Sequence, residues 1–215
     1  MDCGNGSFAN LSQQIDPGLL DAVFISHAHH DHVADLASMF HFLTYVPHAF
    51  RHKIKLIASA ETFASLETMF GLNLQDIFDF SEVNNKSLMS IVGSRSTFFE
   101  TLHIPGSLAI RLVEEDGKSL VYTGDASPAS DIAAFAKSCD LLIGECTWLH
   151  RPARLPSGLH FDAFELGELA KRSEVASVMV THVAYPNSPD DASSIVKTHF
   201  GGKVITAVDL LSIQF

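Results

Sequence analysis

The stretch from Phe24 to His32 reads F-I-S-H-A-H-H-D-H, and no other part of the chain constrains its fold as much. Four ligand-type residues, His27, His29, Asp31 and His32, follow directly on an apolar run, Ala22 to Ile25. A short β-branched and aromatic run that breaks into polar residues predicts a buried strand emptying into a loop. Alternation sends His27, His29 and Asp31 the same way, and a bend at Asp31 brings His32 inward beside it. Imidazoles and a carboxylate at this density suit zinc, and also iron, manganese or cobalt. One ion rarely takes four ligands from so short a segment. Two neighbouring ions can, with His27 and His29 on one and Asp31 and His32 on the other.

The chain has 215 residues, enough for a single domain over 1–215 with a sizeable core. At 47% hydrophobic and 18% charged it reads as globular. No apolar stretch approaches the roughly 20 residues that span a membrane. The opening Met-Asp-Cys-Gly-Asn-Gly has neither the basic region nor the apolar core of a signal peptide. Cys3, Cys139 and Cys146 form no C-x-x-C pair, which predicts reduced thiols and a cytoplasmic protein. A net charge of −11 argues against nucleic acid as a general partner. A homodimer is compatible with the composition.

Along the chain, Ala22–Ser26 and Ile54–Ala58 read as strands, and Leu11 to Leu20 as a connection. Val33 to Tyr45 has helical spacing, closed by Pro47. Ser59 caps a second helix running to Met69, with Gly71 as its stop. Leu74 to Phe80 fits neither template clearly. Leu88–Val92 and Thr97–Leu102 read as strands, and Leu108–Val113 with Ser119–Thr123 as a hairpin. Ser127-Pro128 opens a helix to about Lys137. Leu141–Gly144 reads as a buried strand, Arg151 to Gly158 as a Pro/Gly loop, Phe161–Lys171 as a helix and Val178–Thr181 as a strand. A helix from Ser188 and a strand Lys203–Val208 close the chain. Hairpins first, then strands alternating with helices, predict a layered α/β sandwich.

Three strand ends deliver one metal-type residue each: His103 after Thr97–Leu102, Asp125 after Leu120–Gly124, and His182 after Val178–Thr181. Strand ends hold a site more rigidly than loops. Any one of them alone reads as a solvated residue.

The H-x-H-x-D-H segment with these strand ends resembles the metallo-β-lactamase superfamily. That resemblance implies an αββα four-layer sandwich, here apparently lacking its first N-terminal strands, because the family's early D-x-G segment stands at Asp2-Cys3-Gly4. It implies two divalent ions, zinc first, with manganese or iron as alternatives. His27, His29 and His103 would hold one ion, and Asp31, His32 and His182 the other. Asp125, in a G-D-[TAS] turn, would bridge them opposite a hydroxide that Asp31 also orients. Ser26 and Thr181 are expected to orient imidazoles. His30, His41, His48, His52, His150 and His199 read as non-ligands.

Leu159-His160-Phe161-Asp162 is similar to the helix opening of the ribonuclease Z-like branch, where the histidine faces the scissile phosphate. Glu145, at a strand end, matches that branch's acidic position and is expected to hold His160. True ribonuclease Z carries a basic arm between the third His and the bridging Asp; here one hairpin joins them. The resemblance therefore implies a metal-dependent phosphodiesterase without the arm, with His160 as general acid. Two alternatives are a carboxylic ester, lactone or thioester hydrolase on the same ions and, disfavoured by charge and the missing arm, a tRNA 3′-processing endoribonuclease.

Overall fold

The computed structural model describes residues 1–151 and 158–215; the central part of the expected Pro/Gly loop, residues 152–157, lies outside the described residues. Contacts gather into two compact units, Met1–Asn84 and Asn85–Phe215.

The first unit runs α1 (Ser7–Gln14), β1 (Ala22–Phe24), α2 (His30–Val33), α3 (Leu36–Tyr45), β2 (Ile54–Ala58), α4 (Ala60–Phe70) and β3 (Phe78–Glu82). Its three strands form one sheet in the order β1-β2-β3, all parallel. The sequence-based expectation of hairpins before helices fails here, because strands and helices alternate from the start. β2, Ile-Lys-Leu-Ile-Ala, is buried at four of five positions, as a strand covered on both faces must be. Leu36, Met39, Phe40 and Leu43 make the buried stripe of α3 at helical spacing. Ser59 accepts from the Thr62 amide at the start of α4, and Gly71 closes it in the left-handed conformation.

The helix expected over Val33–Tyr45 forms from Leu36 onward, and Val33 ends the separate short α2. Cys3 donates its amide to the His32 carbonyl at 2.8 Å and accepts from the Asp35 amide at 2.9 Å, so the opening residues insert where the helix would continue. Gly4 is required at this insertion: a Cβ there would lie 1.7 Å from the Asp31 carbonyl oxygen. Gly4→Ala should lower stability by at least the roughly 1–3 kcal/mol of ordinary overpacking, because backbone cannot yield as a side chain does. A denaturant midpoint unchanged from wild type would contradict this reading. α1 forms where a connection was expected. Gly6, in the left-handed region, stands at its N-cap, and Phe8 packs on Phe42 with ring centroids 5.5 Å apart. The ambiguous Leu74–Phe80 resolves into a 3₁₀ turn, Leu74–Asp76, followed by β3.

The second unit holds β4 (Leu88–Ile91), β5 (Ser94–Glu100), β6 (Leu108–Val113), β7 (Ser119–Tyr122), β8 (Leu141–Glu145), α5 (Ala163–Arg172), β9 (Ser177–Thr181), α6 (Pro189–Phe200) and β10 (Lys203–Thr206). They make one seven-stranded sheet in the order β10-β9-β8-β7-β6-β5-β4. β4 to β7 pair antiparallel, and β7 to β10 pair parallel. β5 and β7 both oppose β6, so β5 runs with β7, β8 and β9. The C-terminal ends of these four strands therefore share one sheet edge, where open α/β sheets place their ligands. One hairpin joins His103 to Asp125, as expected.

The helix expected from Pro128 to Lys137 is a correction: only a 3₁₀ turn, Pro128–Ser130, forms. Asp131 turns left-handed at φ 48°, and the Arg111 guanidinium takes the Phe135 and Lys137 carbonyls at 2.9 and 3.0 Å. α5 starts two residues later than expected, with Asp162 and Glu165 forming a reciprocal capping box. Among the described residues no helix is long and apolar enough to cross a membrane.

Candidate metal centre

In the first unit, the ligand loop follows β1 and closes as α2. His27 is fully buried and His32 nearly so, whereas Asp31 keeps 60% of its side chain exposed. His27 Nε2 stands 3.0 Å from His29 Nδ1, and His32 Nε2 stands 3.8 Å from Asp31 Oδ2. These are the two pairings that the spacing suggested. His30 is exposed.

Asp2 organises this half. Its Oδ1 accepts from the Ser26 amide at 2.7 Å; its Oδ2 accepts from the Ser26 hydroxyl at 2.8 Å and from His32 Nδ1 at 2.7 Å. Sequence reasoning placed Asp2 only as the end of a strand. The signal available was the D-x-G motif itself, since a short carboxylate before a close backbone approach has donors to collect. Asp2→Ala strands the His32 Nδ1–H and should cut divalent-ion affinity roughly 10- to 100-fold, as loss of a ligand's outer partner does. Zn²⁺ competition titration against a chromophoric chelator checks this, and an unchanged affinity would contradict it.

In the second unit, four side chains converge at the shared sheet edge. Asp125, buried to 2% of its surface, turns Oδ2 toward His103 Nε2 and Oδ1 toward His182 Nε2, each at 3.5 Å. His160 lies with its ring centroid 4.8 Å from that of His103 and 5.9 Å from that of His182. Its Nδ1 is 3.1 Å from Glu145 Oε1 and 3.7 Å from Asp125 Oδ2. His182 sits in the left-handed region at φ 58°, a conformation that histidine adopts at some cost.

Glu145 ends β8 and is 1% exposed. Its Oε1 accepts from the Ala126 and Phe161 amides at 3.2 Å each, besides His160; its Oε2 accepts from the Thr147 amide at 3.1 Å and the Thr147 hydroxyl at 2.8 Å. The carboxylate thus ties the turn after Asp125 to the segment before α5. The hydroxyl against His182 Nδ1, at 3.0 Å, is that of Thr147, where Thr181 was expected.

The donor chemistry fits a divalent ion. The Leu159 carbonyl lies 3.0 Å from His103 Nδ1 and can only accept, so the hydrogen of the neutral ring is on Nδ1. His103 Nε2 then turns a lone pair toward a carboxylate oxygen. Two acceptors in this position are reconciled by a cation. Ligands about 2.0–2.1 Å from a tetrahedral zinc stand roughly 3.3 Å apart, close to what Asp125 shows with both histidines. Within this unit Asp125, His160 and His182 also form a group close enough to share an ion. The cysteines offer no thiolate here: burial pushes the thiols of Cys3 and Cys139 up to about 11 and that of Cys146 to about 12.

Residues 1–183 match the family model described as "Beta-lactamase superfamily domain". The chain belongs to this superfamily. The match runs through both units and takes in every candidate site residue. The superfamily protein "Probable metallo-hydrolase YhfI" of Bacillus subtilis is 26% identical over 95% of this chain and 82% of its own length. The crystal structure of YhfI superposes with a TM-score of 0.81, covering 97% of this chain and 83% of that one. Ribonuclease Z 1 of Schizosaccharomyces pombe is 26% identical over 98% of this chain, which spans 30% of that longer protein. A diphosphatase of the PhnP family shares the fold at a TM-score of 0.75 and 17% identity, over all of this chain and 78% of that one. The protein is a metallo-hydrolase of the beta-lactamase superfamily, with the mixed α/β fold of that family.

Proposed function

We propose that the protein hydrolyses phosphodiesters with two divalent ions, zinc being the expected metal. His27, His29 and His103 would hold one ion, Asp31, His32 and His182 the second, and Asp125 would serve both; this ligand set follows the family pattern. When bound, such a pair acidifies a water and neutralises charge on the phosphoryl oxygens. Asp31, the exposed carboxylate of the set, orients the attacking water. His160 holds the proton for the leaving alkoxide. Its Nδ1 rests on Glu145, and the carboxylate stabilises the imidazolium that a general acid needs.

The observation that carries this reading is the third imidazole of the second unit. His103 and His182 are the histidine ligands assigned there, yet His160 stands beside them against the buried Glu145 carboxylate. An alkoxide leaving from phosphorus needs a proton, whereas a carbonyl oxyanion can be stabilised by an ion alone. The names of ribonuclease Z and of the diphosphatase point to phosphoryl substrates in the same superfamily. The net charge of −11 and the plain hairpin favour small phosphodiesters over tRNA. A substrate panel with Zn²⁺ and with Mn²⁺ tests the proposal. Cleavage of small phosphodiesters above lactones and thioesters is expected. Efficient lactone or thioester hydrolysis with inert phosphodiesters would overturn it.

A further inference from the structure

A hydroxyl group has one hydrogen to give. The Thr147 hydroxyl lies 2.8 Å from Glu145 Oε2 and 3.0 Å from His182 Nδ1. The carboxylate can only accept, so the hydrogen of Thr147 is committed to it. Oγ1 then faces His182 with lone pairs, and the contact requires the hydrogen on His182 Nδ1. A neutral ring in that form leaves a lone pair on Nε2, the atom turned toward Asp125.

The first unit repeats the arrangement with different residues. The Ser26 hydroxyl gives its hydrogen to Asp2 Oδ2 at 2.8 Å and lies 3.0 Å from His27 Nδ1. His27 Nδ1 must then donate, which leaves the lone pair on Nε2, beside His29 Nδ1. Each carboxylate therefore governs two imidazoles. Asp2 holds His32 directly and His27 through Ser26; Glu145 holds His160 directly and His182 through Thr147.

We propose that Thr147 and Ser26 are positioning residues that set the tautomers of His182 and His27, so that Nε2 of each ring is ready to ligate before an ion arrives. In water a histidine side chain favours the opposite form, with hydrogen on Nε2. Without the hydroxyl, part of each population would hold a hydrogen where the lone pair is needed. The role in ligation rests on the two-ion reading above; the tautomers do not.

The test uses the metal-free, ¹⁵N-labelled full chain. Long-range ¹H–¹⁵N spectra distinguish a protonated ring nitrogen from one bearing a lone pair. In the wild type, His182 and His27 should each show a protonated Nδ1 and an unprotonated Nε2. Thr147→Val should move His182 toward the Nε2–H form and leave His27 unchanged; Thr147→Ser should restore the wild-type spectrum. Ser26→Ala should do the converse. Zn²⁺ affinity should fall roughly 10- to 100-fold in Thr147→Val and recover in Thr147→Ser. A wild-type His182 protonated at Nε2 overturns the proposal without any variant. So does a Thr147→Val protein with unchanged tautomer and unchanged Zn²⁺ affinity. If the wild type takes up no ion, the two-ion reading fails while the spectra still decide the tautomers.

Discussion

Asp125→Ala should strip the protein of stable metal binding and reduce hydrolysis by more than the roughly 10- to 100-fold cost of losing an outer partner. Asp125 is buried, and its two oxygens face two different imidazoles at the same 3.5 Å. Removing it takes charge from both ions of the proposed pair at once. His103→Ala, by contrast, removes a ligand assigned to one ion, and should weaken that ion while sparing the other. The pair of variants separates a shared ligand from a private one. Metal content and steady-state rates on both proteins check it. An Asp125→Ala protein that keeps two ions and full activity would remove the shared role.

His160→Ala should lower kcat by roughly 10²- to 10⁴-fold with both ions retained, the range for loss of a general acid. The loss should be greatest for a poor alkoxide leaving group. It should shrink for a nitrophenolate, which leaves well without a proton. A substrate pair that differs only in leaving group is therefore required, since a nitrophenyl ester alone understates His160. Equal losses on both would make His160 a substrate-positioning group. No loss on either, with robust lactone or thioester cleavage, would point to carboxyl chemistry. His160 precedes the Asp162 cap of α5 and lies against Glu145, so its surroundings are set by that carboxylate more than by the helix end.

The candidate ligands were legible as a set, because the same one-dimensional signal recurs along the chain. An apolar run breaking into His or Asp is a strand ending at a site, and His27, His103, Asp125 and His182 all follow that rule. The partners that hold them were not legible, because they depend on which strands pair. Glu145 lies opposite Thr181 in the β8–β9 ladder, and this register brings Thr147, two residues past one strand, to His182, one residue past the other. Nothing local to Thr181 or Thr147 distinguishes them. Asp2 was visible as part of a motif, but its hold on Ser26 and His32 spans 24 and 30 residues of sequence. The missing helix after Ser127 has a similar cause. Its local signals favour helix, but Arg111 on β6 takes the carbonyls of Phe135 and Lys137 and a left-handed Asp131 ends the turn. α1 errs in the other direction, since packing through Phe8 and Leu11 supports a helix that its weak pattern did not suggest.

The ion count of the intact protein tests the central claim most directly. Protein stripped with chelator, reloaded with Zn²⁺ or Mn²⁺ and freed of excess ion should carry two ions per chain by elemental analysis. A count of zero or one at saturating metal would contradict the two-ion site on which the proposed chemistry stands.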